Sequence, residues 1–541
     1  LSNGDSEVSI TAGQRIYVDS AVAASKSVSL TTTSVAGADD DVSIKVTSAG
    51  GLTAAGITSD NAGGTVVIDA KGHVELVGTI ISGGHTVFTD NGSEVQWFDE
   101  ESVVNLKASG QLYLGGQALK ESGGTVEIGA TIRANQLIQL EGGAGRDGDG
   151  VGIKMPGGAR IATNNAEGDI NIKSADDAEL FGLIVSGGEV LDHYDSRGLS
   201  LGTTRNYSDG ASTITIEATE GQVRLGRDLY AGSLIDVRGG LAAKATVENY
   251  ADQGIVIYGS SQLKTGLENS SINLSSAGNL TVLTGAWTNE IFADAFVEFA
   301  DGDLSADVVL SLTVDLGTHK VSGQVTIPKS ATLTNTGASS LSDDIKTALY
   351  ATEFMVVESL TGSPALNSRQ VLNDTQLQIR LEDGRLKLTS FFEFSLNHSG
   401  SIGLDRLGFS QAANADVSAY GTYAIDASAQ GSVVNLGKAG AVGGKVIINN
   451  HIVGHDAINF LSGSTGGGLE LQALGILETR SGNVELNPVG DSVLTGSLIA
   501  AGRNADIILN ASRSIEVRGD LTADRDIIIN GGTGIETGVT S

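Results

Sequence analysis

Residues of the types that do chemistry are thinly spread along this chain. Asp147 and Asp149 stand in a glycine-rich run, GGAGRDGDG at 142–150. Two carboxylates one residue apart in a tight turn are hard oxygen donors of the kind calcium takes. A single copy supplies too few oxygens to close a cage, so the alternatives are loosely bound calcium and a solvated turn. Asp39, Asp40 and Asp41, and likewise Asp176 and Asp177, read as acidic turns with the same loose-cation option. The run Asp192, His193, Tyr194, Asp195, Ser196, Arg197 puts acid, base and aromatic groups together. It is the best catalytic candidate, because glycan cleavage uses paired carboxylates, but adjacency in sequence does not set their separation. His451 and His455 are four apart in strand context and have no evident third ligand. Trp97, Trp287, Phe292, Phe296 and Phe299 offer flat faces, either for stacking on sugars or for covering the side of a repeat rod and docking an insert on it. No phosphate-cradling glycine loop, nucleophile elbow or metalloprotease helix occurs. The expectation is a protein that is not an enzyme and has no resident cofactor.

Composition narrows the class. Among 541 residues there are 74 Gly and only 4 Pro, which favours many tight turns between short strands over disorder. The net charge of −31 makes nucleic acid and anionic membrane poor partners. Cysteine is absent, which rules out disulfides and thiol chemistry. No apolar run is long enough to span a bilayer as a helix.

What must position any site is a repeat. The segment 65–84, TVVIDAKGHVELVGTIISGG, returns in register at 169–188 and 483–502. Val66, Ile170 and Val484 share its second position; Ile68, Ile172 and Leu486 its fourth; Leu76, Leu180 and Leu494 its twelfth; Ile80, Ile184 and Leu498 its sixteenth. Gly78, Gly182 and Gly496 share the fourteenth. Further on, Ile507 and Leu509 head another copy. Short period-two runs bounded by Gly, Asn, Asp or Ser are strands that bury one face. Repeated at a period of about 20 residues, they predict an all-β fold: a parallel β-solenoid whose aligned Val, Ile and Leu stack inside.

The rhythm holds over 1–285, fails over 286–411 and returns over 412–541, with recognisable coils again by Lys445. In the interruption, residues 340–349 predict a helix, with Ser339 or Ser340 as cap and Leu341, Ile345, Ala348 and Leu349 on one face. LQIRLEDGRLKLTS at 377–390 predicts a hairpin about Asp383–Gly384. This is an inserted small α+β domain. About 400 repeat residues give about 18 coils and a rod on the order of 90 Å long. The chain opens at Leu1 without Met and already in a repeat, so it reads as a piece of a longer polypeptide.

The unit D-I-x-I…A…G-x-I-x-L-x-G-x-L-x-A-G-G, best matched at 65–84, 169–188, 483–502 and 506–525, resembles the repeats of filamentous haemagglutinin-type adhesins and related giant bacterial surface proteins. That resemblance implies a right-handed parallel β-helix and an extended secreted stalk or adhesive fibre. The family's secretion domain has no counterpart here. SLSDDIKTAL at 340–349, GRLKLTS at 384–390 and SIGLDRLGF at 401–409 resemble the IN motif of flagellin and hook-associated proteins, which implies a decorating or packing module in a filament. The turn at 142–150 is similar to one nonapeptide of calcium-binding β-rolls.

The expected function is structural or adhesive: a segment of an extracellular fibre, stalk or sheath on a bacterial cell surface. Its expected partners are copies of itself or flanking repeats end to end, with cell-surface glycans as possible ligands. The alternative is a polysaccharide-binding or polysaccharide-cleaving β-helix.

Overall fold

The computed structural model describes residues 5–35, 42–48, 50–54, 63–89, 92–98, 101–119, 125–145, 150–194, 200–207, 210–240, 253–259, 261–283, 289–316, 319–359, 364–374, 376–382, 385–390, 392–418, 420–421, 423–437, 443–461 and 467–537. The alternating runs become strands of three long parallel sheets, and each coil passes through them in turn. One coil, for example, contributes Thr65–Ala70 to the first sheet, His73–Leu76 to the second and Thr79–Ser82 to the third. The three sheets hold 14, 14 and 13 strands among the described residues. The fold is a parallel β-helix solenoid, as the repeat predicts.

Register is kept from coil to coil. Val66 lies between Val28 and Val104, Ile170 between Ile138 and Ile214, and Val484 between Ile458 and Ile507. A slip of one residue would turn every apolar side chain outward, so the alternation itself fixes the pairing. Inside, one apolar cluster of Val, Ile, Leu and Ala, with Met155 and Phe460, runs from Ile16 to Val517. Each fully buried Leu, Ile or Val contributes about 1.5–3 kcal/mol relative to exposure. A coil completes that burial only against the coils on either side of it.

The coil corners are built from small residues. Where the second sheet turns into the third, a Cβ on Gly78 would sit 2.0 Å from the Gly50 carbonyl oxygen. One on Gly496 would sit 2.1 Å from the Gly475 oxygen, and one on Gly519 would sit 1.9 Å from the Gly496 oxygen. These glycines are required by close backbone approach between coils. Where the third sheet returns to the first, hydroxyls take over. Ser82 Oγ donates to the Gly64 carbonyl, Ser102 Oγ to the Ser82 carbonyl, and Ser212 Oγ to the Ser186 carbonyl. Buried polar backbone at this bend is thereby satisfied from the adjacent coil.

Excursions leave only from corners. After the third sheet, the hairpins Gly84–Thr89/Gly92–Trp97 and Gly188–Tyr194/Ser200–Tyr207 join through Gly92 opposite His193 into one four-stranded antiparallel sheet. It packs on the third sheet, where Ala162, Leu183 and Val185 form a small outer apolar cluster with Tyr230. A further hairpin, Gly115–Leu119/Thr125–Gly129, leaves between the second and third sheets. The large insertion departs from that same corner, after Asn279–Val282, and the solenoid resumes at Ile425–Ala427.

The insertion has a six-stranded and a four-stranded antiparallel sheet and its own apolar core. Its hairpin strands Gln378–Glu382 and Arg385–Ser390 pair antiparallel; Asp383 and Gly384 lie outside the described residues. Its long helix is Ala338–Ala351, with Leu341, Ile345 and Leu349 buried.

Three expectations need correction. The helix starts at Ala338, with Gly337 at the N-cap and no side-chain cap, so neither Ser339 nor Ser340 caps it. Among the described residues the coils number 14 rather than about 18. Equivalent positions are 20 residues apart from Val8 to Val28 but 44 apart from Ile170 to Ile214, because hairpins take up chain that composition alone assigns to coils. At ~4.8 Å per coil the rod is on the order of 65 Å, not 90 Å. The coils return at Ile425, inside the 412–541 span over which the rhythm resumes.

Candidate functional site

With the inner residues committed to the core, chemistry is confined to the outward positions of each strand. In a parallel sheet an outward position repeats directly above itself, so side chains form columns along the axis. The most ordered column lies on the first sheet. Asp69, Lys107, Glu141, Lys173, Glu217 and Arg238 occupy one outward position in six successive coils, and their charges alternate throughout. Lys107 Nζ lies 2.7 Å from Glu141 Oε2, and Lys173 Nζ lies 3.7 Å from Glu217 Oε1. Arg238 Nη2 pairs with Asp236 Oδ2 at 2.5 Å. The hydrogen bond to Glu141, aided by its charge, holds the Lys107 ammonium above the usual lysine range. Beside this column a groove of about 310 Å3 is lined by Lys107, Glu141, Lys173, Thr219 and Glu220 and the backbone of Gly142–Gly143.

The neighbouring outward column carries amides. Asn459 Nδ2 donates to Asn435 Oδ1 at 3.0 Å, and Asn435 Nδ2 donates to Asn273 Oδ1 at 2.8 Å. Near the last coils Asn530, Asn510 and Asn487 form a second such ladder, at the outward position that the charges take in the earlier coils. Each bond ties adjacent coils and is worth about 0.5–1.5 kcal/mol where it is shielded from water.

The second sheet alternates too. Lys45 pairs with Glu75 at 2.8 Å, and Arg224 pairs with Glu179 at 2.5 Å. Asp177, at 3 % exposure, accepts from the Gln222 backbone N–H at 2.9 Å and lies 3.5 Å from Arg224 Nη2. Burial raises its carboxyl above the ordinary value, against the opposing pull of Gln222 and Arg224. Asp177 thus opens a strand and holds two coils together. The expectation of an acidic turn holds for Asp176, which lies in the bend before the strand, and fails for Asp177.

On the third sheet, just past the point where the insertion rejoins, His451 Nε2 lies 2.9 Å from Glu478 Oε2. The Tyr423 ring stands edge-on to His451 at 4.6 Å. Arg480 lies 6.0 Å from the centroid of the same ring. The hydrogen bond from His451 holds the Glu478 carboxyl below its usual range. His455 instead pairs with Asp456 at 2.5 Å, so the two histidines do not converge on a common ligand.

The sequence candidates fall as follows. Asp147 and Asp149, Asp39 to Asp41, Asp195 to Arg197 and Trp287 lie outside the described residues. Asp192, His193 and Tyr194 belong to the strand Gly188–Tyr194, of which the backbone alone is described. Trp97, Phe296 and Phe299 are half-buried, and Phe292 carries the Arg385 guanidinium 4.0 Å from its ring centroid. The ladder residues Val66, Ile68, Leu76, Ile80, Ile170, Ile172, Leu180, Ile184, Val484, Leu486, Leu494, Leu498, Ile507 and Leu509 all lie in the solenoid core at 0–2 % exposure. Among the described residues, no three His, Asp or Glu side chains are grouped so as to hold a metal ion. No helix among them is long and apolar enough to cross a membrane.

The charge, amide and hydroxyl columns escaped the sequence reading. Finding them requires knowing which residues share a column, and hairpins of unequal length hide that. The chain matches no protein-family model, no curated protein and no solved structure.

Proposed function

We propose that this chain is a structural segment of an extracellular fibre, stalk or sheath, whose work is mechanical. The observation that supports this reading is that several kinds of outward and corner chemistry run along the axis. Backbone bonds, the Lys107–Glu141 and Lys173–Glu217 pairs of the first sheet, the asparagine ladders and the corner serines all connect one coil to the next. A pull along the rod is then shared among three sheets of parallel bonds, and no single contact carries it. The adhesive version of the role places ligands on the corner excursions, where loops can vary without disturbing the core.

Two measurements test this together. Single-molecule stretching between the ends is expected to show high resistance with stepwise release of coils. Incubation with a glycan panel is expected to give no cleavage. Turnover of a polysaccharide that disappears in Asp192→Ala would refute the structural reading and establish the enzymatic one.

A further inference from the structure

We propose that the outer face of the first sheet is a self-complementary surface on which a second copy of this chain docks side by side and antiparallel. This deepens the structural reading and rests on it: a rod that pairs laterally thickens the fibre it belongs to.

The argument is the order of the charges. Read along the axis, the column runs Asp69, Lys107, Glu141, Lys173, Glu217, Arg238. An even-numbered alternating series becomes its own complement when reversed. Across a two-fold axis passing between Glu141 and Lys173, Asp69 meets the copy's Arg238, Lys107 meets Glu217, and Glu141 meets Lys173. All six contacts join opposite charges, and the interface is isologous, the commonest kind in homodimers. A parallel copy in the same alignment would set like against like six times.

Three further observations favour this occupant. The charges stay open to solvent although they pair along their own column: Lys107, Glu141, Lys173 and Glu217 side chains are 52 %, 48 %, 61 % and 35 % exposed. The column balances three cations against three anions, and with the outward Asp169 and Asp236 the six strands carry three cations and five anions, a small share of the chain's net −31, so two such chains can approach there with little repulsion. The size is also sufficient. Six coils at ~4.8 Å and six-residue strands at ~3.3 Å per residue make a patch of roughly 29 by 20 Å. Covering it on both copies buries about 1,150 Å2, above the roughly 1,000 Å2 that a specific interface needs.

Salt gives the test its sign. Repulsion between two anionic rods is relieved by salt, whereas attraction through exposed ladders is screened by it. Sedimentation velocity on the full chain is therefore expected to show dimers at about 20 mM sodium chloride and monomers at about 500 mM. Lys173→Glu sets a carboxylate against the copy's Glu141 twice, once on each side of the axis, and is expected to weaken dimerisation on the order of tenfold. Lys45→Glu removes a comparable ion pair on the second sheet and is expected to leave dimerisation unchanged. Circular dichroism checks that both variants keep the fold. Monomers at every salt concentration, dimers strengthened by salt, or dimers indifferent to Lys173→Glu would each overturn the proposal. Rods that stay monomeric while resisting force and cleaving no glycan would still leave the mechanical function standing.

Discussion

Gly496→Ala isolates the close approach between coils, because it adds one methyl group and nothing else. That methyl would lie 2.1 Å from the Gly475 carbonyl oxygen and 2.4 Å from the Gln472 carbonyl oxygen, more than about 1 Å inside ordinary contact. Both obstacles are backbone, so no side chain can swing away. Relief comes only by lifting one coil off the next, which loosens the bond from Ser497 N–H to the Gly475 carbonyl, now 3.0 Å. Overpacking costs about 1–3 kcal/mol and the lost bond about 1 kcal/mol, a total of about 2–4 kcal/mol. The opposing gain from a stiffer unfolded chain is about 0.4–1 kcal/mol, so destabilisation wins. Gly266 is the control: a Cβ there meets nothing within 4 Å, so Gly266→Ala is expected to be neutral or slightly stabilising. Urea titration followed by circular dichroism reads the two midpoints, and hydrogen exchange at Ser497–Ala500 localises the loss. Equal midpoints for the two variants would refute the claim that these glycines are held by coil spacing.

Other consequences can be checked with the same instruments. Ser186 Oγ donates to the Gly168 carbonyl at 2.7 Å and lies 3.0 Å from Thr163 Oγ1; Ser186→Ala leaves these buried groups short of a partner and is expected to cost about 1–3 kcal/mol in urea unfolding. Glu478 has its carboxyl lowered from 4.5 by His451, so its stabilisation is complete above that value and is lost as pH falls through the folded-state pKa. Glu478→Gln is therefore expected to lower the melting temperature at neutral pH and to flatten its decline in acid; an unchanged acid limb would count against the pairing. Asp177 has its carboxyl raised from 3.8 by burial, so its ionisation destabilises the fold above the folded-state pKa and that penalty fades as pH falls toward 3.8. Asp177→Asn is expected to reduce whatever stability the wild type gains on mild acidification, read as melting temperature against pH.

The fold was legible because inward residues report their own periodicity. Val66 and Ile68 announce a strand with one buried face whatever follows them, and Gly78 marks its corner. The number of coils was not legible. Runs such as Glu94-Val95 and Val190-Leu191 have strand composition but belong to hairpins beside the rod, and a period read from the shortest repeats counts them as coils. The insertion's helix could be read from the apolar face of Leu341, Ile345 and Leu349, while its start could not, because Gly337 occupies the cap position that serine usually takes. The charge column was hidden for a different reason. Lys107 and Glu141 are 34 residues apart and Lys173 and Glu217 are 44 apart, and no local spacing rule connects them before the coils are wound.

Because every excursion departs from a corner, this molecule measures length in turns of the chain and is indifferent to how many residues each turn consumes. The insertion adds well over a hundred residues between Val282 and Ile425 without lengthening the rod by a single step. Evolution can thus exchange whatever the rod displays while its span stays fixed, and can change the span by adding or deleting whole turns. The outward cargo and the scaffold's reach are separate variables under separate control.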